Sequence, residues 1–102
     1  RNARHGNLYT HNGQLRLKNS RFRSDDRPID PTCDCYACQT FSRSLLRHLW
    51  QAGEAVGPLA MTLHNLAYFQ RLMREARAAI LADRYTTWAT ETLARINAPL
   101  PD

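Results

Sequence analysis

No apolar run in this chain approaches the roughly 18 residues that a membrane-spanning helix needs, and no charged-then-apolar leader opens it. A cytoplasmic protein without a membrane partner is expected. A starting methionine is also missing: Arg1 stands first, so the chain reads as a cut-down piece whose function lies partly outside it. Cysteine is scarce and poorly placed for crosslinking. All three, Cys33, Cys35 and Cys38, fall within six residues. An odd count packed so tightly cannot build a disulfide framework, because adjacent pairs would be strained and one thiol left over. Metal ligation or a reduced intracellular role fits better. Internal repeats and low-complexity tracts are absent.

What is present suits one small domain. The 102 residues are 43% hydrophobic and 23% charged, a size at which a core is only modestly stable unaided and support from a metal or a partner is expected. A formal charge of +5 and a sequence pI near 9.6 favour a polyanionic partner. Segments 7–10 and 14–18 flank His11-Asn12-Gly13, and Asn-Gly between alternating segments predicts a β-hairpin with both turn positions at positive φ. Leu15 and Leu17 share the buried face, Arg16 and Lys18 the wet one, and Phe22 prolongs the second strand. Two prolines make 24–31 a loop leading into the cysteines. A first helix is expected from about Thr40 to just before Gly53, with Phe41, Leu45, Leu49 and His48 on its inner stripe. Gly57-Pro58 interrupts the chain before a longer helix with Leu66, Phe69, Met73, Ala76 and Ile80 on one apolar face. A last helix, with Tyr85, Trp88, Leu93 and Ile96 inside, ends at Pro99 and Pro101.

Cys33-Asp34-Cys35-Tyr36-Ala37-Cys38 can wrap a single ion if it folds as a loop. Zinc prefers four tetrahedral ligands drawn from Cys and His, so a fourth is sought among His5, His11, His48 and His64. His64 opens the strongest helix and can project back towards the preceding loop, with Thr62 or Asn65 fixing its other ring nitrogen. Three cysteines and a histidine would leave no open coordination position, so the expected role of zinc, one per chain, is structural.

Cys-x-Cys-x-x-Cys followed at distance by Thr-x-His-Asn-Leu is similar to the zinc signature of the tRNA-guanine transglycosylases, also called queuine or preQ tRNA-ribosyltransferases. Segment 1–6 resembles that family's Thr-Arg-x-x-Arg-x-Gly segment, 15–22 resembles its strand after the hairpin, and Tyr68-x-x-Arg71-Leu72-Met73 its final barrel helix. The resemblance therefore runs over nearly the whole chain.

It implies an α+β fragment made of a β-hairpin, a zinc loop and about three helices, the last part of an irregular (β/α)₈ barrel. Residues 1–64 would be the zinc-binding insertion and 65–102 the closing helices, with the rest of the barrel as a partner. The family exchanges the wobble guanine of tRNA for a 7-deazaguanine base in queuosine biosynthesis. An Asp carboxylate attacks the ribose anomeric carbon, guanine leaves, and the incoming base displaces the enzyme. That nucleophile is expected upstream, so no catalytic residue is expected in this chain and these residues alone are expected to be inactive. Cys33, Cys35, Cys38 and His64 match the zinc ligands, and Arg1 and Arg4 match arginines that contact the tRNA anticodon loop. Phe41, Leu45 and His48 form a candidate homodimer face. The competing readings are a stand-alone zinc-stabilised RNA-binding module and a noncatalytic partner subunit of the same fold.

Overall fold

The computed structural model describes residues 3–98 and Leu100. Strands β1 (Asn7–Thr10) and β2 (Gly13–Arg16) form an antiparallel hairpin, followed by helices α1 (Tyr36–Thr40), α2 (Arg43–Gln51), α3 (Val56–Leu81) and α4 (Tyr85–Asn97). Short 3₁₀ turns lie at Ala3–His5 and Ser20–Phe22. The 26 residues of α3 span roughly 39 Å at 1.5 Å each and set the long axis of the molecule, 47 Å against 24 and 22 Å.

The hairpin forms one pair earlier than Asn-Gly would set it. Thr10 pairs with Gly13, so the two-residue loop is His11-Asn12, and only Gly13 takes a positive φ, 136°. The Thr10 hydroxyl donates to the Gly13 carbonyl and accepts from the Asn12 N–H, which stabilises the turn in place of a left-handed Asn. Leu8, Leu15 and Leu17 are fully buried, as the period of two requires. Phe22 does not prolong β2. It sits in the Ser20–Phe22 turn, whose first N–H groups are capped by Asn19, and its ring is buried in the core.

Neither edge of this two-stranded sheet is open. Asn65 Oδ1 accepts from the Tyr9 N–H and Asn65 Nδ2 donates to the Asn7 carbonyl, while Gln14 pairs with the Ala98 carbonyl and the Leu100 N–H along β2. A hairpin is marginal alone and needs such cover.

The predicted first helix is α2, which starts at Arg43, and the short α1 precedes it in the cysteine segment expected as a loop. An extended Phe41 separates α1 from α2, and Ser42 caps α2 by accepting the Leu45 N–H. Gly53 stops α2 as expected. At φ 76° it lets its own N–H reach the Trp50 carbonyl and the Glu54 N–H the Leu49 carbonyl, the Schellman pattern. The inner residues differ from the expected stripe. Arg43 and Leu46 are buried, whereas Leu45 and His48 are exposed and Phe41 and Leu49 half-buried.

Gly57-Pro58 does not interrupt the chain. Both lie in the first turn of α3, where proline lacks no needed hydrogen bond, and Gly57 permits close approach to α2, since a Cβ there would sit 3.1 Å from the Trp50 backbone nitrogen. The residues of α3 turned inward are Gly57, Ala60, Met61, His64, Asn65 and Ala79. The expected apolar face points outward instead, with Leu66 55% and Met73 67% exposed, alongside Leu59, Leu63 and Ile80. In α4 the buried residue is Thr92; Tyr85 and Leu93 are exposed, and Trp88 and Ile96 half-buried. A helix apolar on opposite faces is built to be covered on both. The division expected at residues 64 and 65 falls inside continuous α3. Pro99 and Pro101, the expected terminators of α4, lie outside the described residues. Among the described residues no helix is long and apolar enough to cross a membrane.

Candidate metal centre

The loop 24–35 has little regular structure of its own, and buried polar groups hold it in shape. Arg43 is the main anchor. Its Nε donates to the Pro28 carbonyl, Nη2 to the Ile29 carbonyl and Nη1 to Asp25 Oδ2, all at 3.0 Å. Backbone N–H groups of Arg43 and Ser44 add bonds to the Arg27 and Asp25 carbonyls. Asp25 is shared with Arg27, whose hydrogen bonds hold its carboxyl well below the usual carboxylate range, against the opposing effect of burial.

Asp30 forms the second support. Burial would push its carboxyl up, but the Thr32 and His11 N–H groups and the Thr32 hydroxyl hold it below its ordinary value. One carboxylate thereby ties the hairpin turn to the cysteine loop. Asp30-Pro31-Thr32 carries the residue types of an Asx turn, a signal legible in the sequence. Arg43 gave none, being one of several arginines in a helical stretch.

Cys33 and Cys35 then approach along the loop, and Cys38 comes from α1. The Cys35 N–H points at the Cys33 sulfur and the Cys38 N–H at the Cys35 sulfur, each at 3.5 Å. Cys35 doubles as the N-cap of α1. His64, fully buried on α3, faces all three: its Nδ1 lies 3.8 Å from Cys33 Sγ, 3.5 Å from Cys35 Sγ and 3.3 Å from Cys38 Sγ. The four ligand atoms lie within 4.8 Å of one another. Bonds of about 2.3 Å to sulfur and 2.0–2.1 Å to nitrogen at tetrahedral angles give sulfur–nitrogen separations of roughly 3.6 Å, so the quartet fits a tetrahedral zinc ion and could hold a metal. Among the described residues the other histidines stay outside it; His5 and His48 are exposed and His11 half-buried.

The imidazole is oriented by neither Thr62 nor Asn65. Its Nε2 is 2.7 Å from the Tyr9 carbonyl, which makes Nε2 the protonated nitrogen and leaves Nδ1 free to donate electrons. Thr62 back-bonds to the Pro58 carbonyl, and Asn65 serves β1. Burial pushes the Cys33 and Cys38 thiols up, in Cys38 against a hydrogen bond from the Asp30 N–H, and pushes His64 down against the Tyr9 carbonyl. Without a cation this pocket favours neutral thiols. A divalent ion reverses that balance by drawing protons from sulfur.

The other expected residues stand apart from this centre. Arg1 lies outside the described residues. Arg4 is exposed in the first 3₁₀ turn. Phe41, Leu45 and His48 lie on the α1–α2 side, where Phe41 packs edge-on against the exposed Tyr36 at 5.9 Å.

Comparison with known proteins agrees over the same residues. The family profile described as "Queuine tRNA-ribosyltransferase" matches residues 1–98. The chain is 48% identical over 101 residues to a queuine tRNA-ribosyltransferase of Thioalkalivibrio sulfidiphilus, covering 99% of the chain and 27% of that protein. It is 51% identical over 98 residues to one from Thiobacillus denitrificans, covering 96% and 26%, and 44% identical over 101 residues to one from Mannheimia succiniciproducens, covering 99% and 27%. The chain thus spans about a quarter of the length of these relatives, at their carboxy-terminal part.

Proposed function

Because the chain belongs to the queuine tRNA-ribosyltransferase family, we propose that it is the zinc-bearing carboxy-terminal part of an enzyme that exchanges the wobble guanine of tRNA for a 7-deazaguanine base. The observation that carries this reading is the Cys33, Cys35, Cys38 and His64 quartet, drawn to one point by three separate elements. In the whole enzyme a carboxylate upstream of this chain attacks the ribose anomeric carbon, guanine departs, and the incoming base breaks the enzyme–ribose bond. The residues here act on position and not on bonds. The quartet would hold zinc, which when bound supplies a structural crosslink of loop, α1 and α3. Arg1 and Arg4 would contact the anticodon loop, since a guanidinium suits both phosphate oxygens and base edges of a splayed strand. Phe41, Leu45 and His48 would join two copies in a homodimer.

The partner of α3 in this reading is the rest of the barrel. Its outward stripe, Leu59, Leu63, Leu66, Met73 and Ile80, is an apolar surface of the kind that is covered in a complete protein. The same stripe counts against a stand-alone RNA-binding module, which would have no reason to leave it bare.

Cys38→Ser in the full-length protein tests the assignment, with zinc measured by mass spectrometry and labelled guanine exchange measured into tRNA. The expected result is one zinc per chain in the parent, loss of zinc in the variant and weakened exchange. A parent that binds no metal, or a metal-free variant that exchanges as well as the parent, overturns it.

A further inference from the structure

The positive charge of this chain is segregated. Arg1, Arg4, Arg16, Lys18, Arg21 and Arg23, six of the 14 basic residues, all precede Asp25, the first acidic residue in the sequence. The remaining eight face all nine acidic residues, so everything after the hairpin module is close to neutral and the whole excess resides in the module. The fold gathers the described ones, Arg4, Arg16, Lys18, Arg21 and Arg23, at one end. Asn7 pairs with Arg16 at the open end of the hairpin, and the Leu17 N–H reaches the Gly6 carbonyl at 2.9 Å, which sets the Ala3–His5 turn beside residues 16–18. Leu15 and Leu17 point inward, leaving Arg16 and Lys18 on the wet side, and the Asn19 N–H closes a turn on the Arg16 carbonyl. Buried Phe22 then pins the turn that carries Arg23.

Of the eight cations after the module, three are answered by ion pairs, Arg27 and Arg43 with Asp25 and Arg71 with Glu75, and the other five share their segment with all nine acidic residues. Arg4, Arg16, Lys18 and Arg23 are exposed, and none makes an ion pair among the described residues. Charge held on a rigid turn without a counterion suits a repeating polyanion.

We propose that Arg16, Lys18 and Arg23 form a track for the phosphodiester backbone of the RNA substrate, extending the contact surface beyond Arg1 and Arg4. This rests on the reading of the chain as part of a tRNA-modifying enzyme. The track contributes binding strength without base discrimination, because phosphates carry no sequence information.

The test uses the full-length protein with Arg16→Gln, Lys18→Gln and Arg23→Gln combined, and tRNA binding measured across a salt series. Each lost phosphate contact removes about 0.7–0.9 from the slope of log affinity against log salt. Over a fourfold rise in salt the parent therefore loses roughly 20–40-fold more affinity than the triple variant. Arg74→Gln with Arg84→Gln, two exposed arginines on the near-neutral remainder, leaves the slope unchanged. In base exchange the triple variant raises KM for tRNA and keeps kcat. An unchanged slope, or an equal change per charge in the control, overturns the track. So does binding of phosphatidylserine vesicles that the triple variant loses while its RNA binding stays intact. A parent that binds tRNA with the expected slope but exchanges no base leaves the track standing and sinks the enzymatic reading instead.

Discussion

Arg43→Ala is expected to release the loop that delivers the cysteines, and the size of the effect follows from the contacts that Arg43 makes. The side chain is 4% exposed and holds two carbonyls and a carboxylate. Removing one partner of a buried ion pair costs about 3–5 kcal/mol. Asp25 keeps Arg27, which places the loss near the lower bound, about 3 kcal/mol. At about 1.4 kcal/mol per factor of ten, local opening becomes roughly 100-fold more frequent. Hydrogen–deuterium exchange of the full-length protein reads this directly. The Ser44 and Cys33 amides, bonded to the Asp25 and Asp30 carbonyls, should exchange roughly 100-fold faster, while amides in the middle of α3 hold their rates. Arg43→Lys should recover part of the protection, since one ammonium cannot serve three acceptors arranged as a fork. Unchanged exchange at Ser44 and Cys33, or equal acceleration throughout the chain, would refute the anchoring role.

Two further outcomes follow from the same contacts. Zinc uptake should release protons and strengthen as pH rises from 6 to 8, because burial keeps the Cys33 and Cys38 thiols protonated above their ordinary range while His64, pushed down, already stands neutral at pH 7. Titration calorimetry in buffers of different ionisation enthalpy measures the release, and a pH-independent affinity would contradict thiolate ligation. Met73, 67% exposed here against 0% for Met61, should resist peroxide in the full-length protein about as well as Met61, at every protein concentration. Rapid conversion of Met73 to the sulfoxide would mean that the remainder of the protein does not cover α3, and protection lost on dilution would assign the cover to a second copy.

The parts of this molecule legible in the sequence are those set by spacing along the chain. Leu15 and Leu17 alternate with Arg16 and Lys18 whatever packs on them, three cysteines in six residues have few structural uses, and Gly53 ends a helix because it takes φ 76° without strain. Faces of helices were not legible in the same way. An apolar stripe on α3 marks a buried surface without saying what buries it, so Leu66, Met73 and Ile80 looked like the core of this chain. The core proper uses Gly57, Ala60 and Met61, with α2 so close that a Cβ on Gly57 would sit 3.1 Å from the Trp50 backbone nitrogen; Ala79 is buried separately, at the α4 end of the helix, where its carbonyl accepts from the Arg84 N–H. The partner of His64 was missed for a related reason. A backbone carbonyl from β1 carries no residue-type signal, and Tyr9 precedes His64 by 55 positions.

The same packing explains why a metal suits this position better than more hydrocarbon. The buried cluster that includes Leu8, Leu15, Leu17, Phe22, Ile29, Leu46 and Met61 abuts Cys38, with Cys33 and Cys35 packed at its margin, so the sulfurs form one wall of the core. Apolar side chains there could fill volume, but they could not fix the direction of a loop that has almost no backbone ladder of its own. Four directional bonds to one ion, with the imidazole aligned by the Tyr9 carbonyl, would bind the loop to α1, α3 and the hairpin simultaneously. Asp30 and Arg43 satisfy the loop's polar groups in advance, which limits the entropy lost on metal binding. The charged hairpin end is tied to that framework through Phe22, whose ring lies beneath the Arg43 and Arg21 guanidinium groups at 5.7 and 4.8 Å. Loss of the metal should therefore loosen the cysteine loop first and weaken tRNA binding only as far as the Arg43–Phe22 contact gives way.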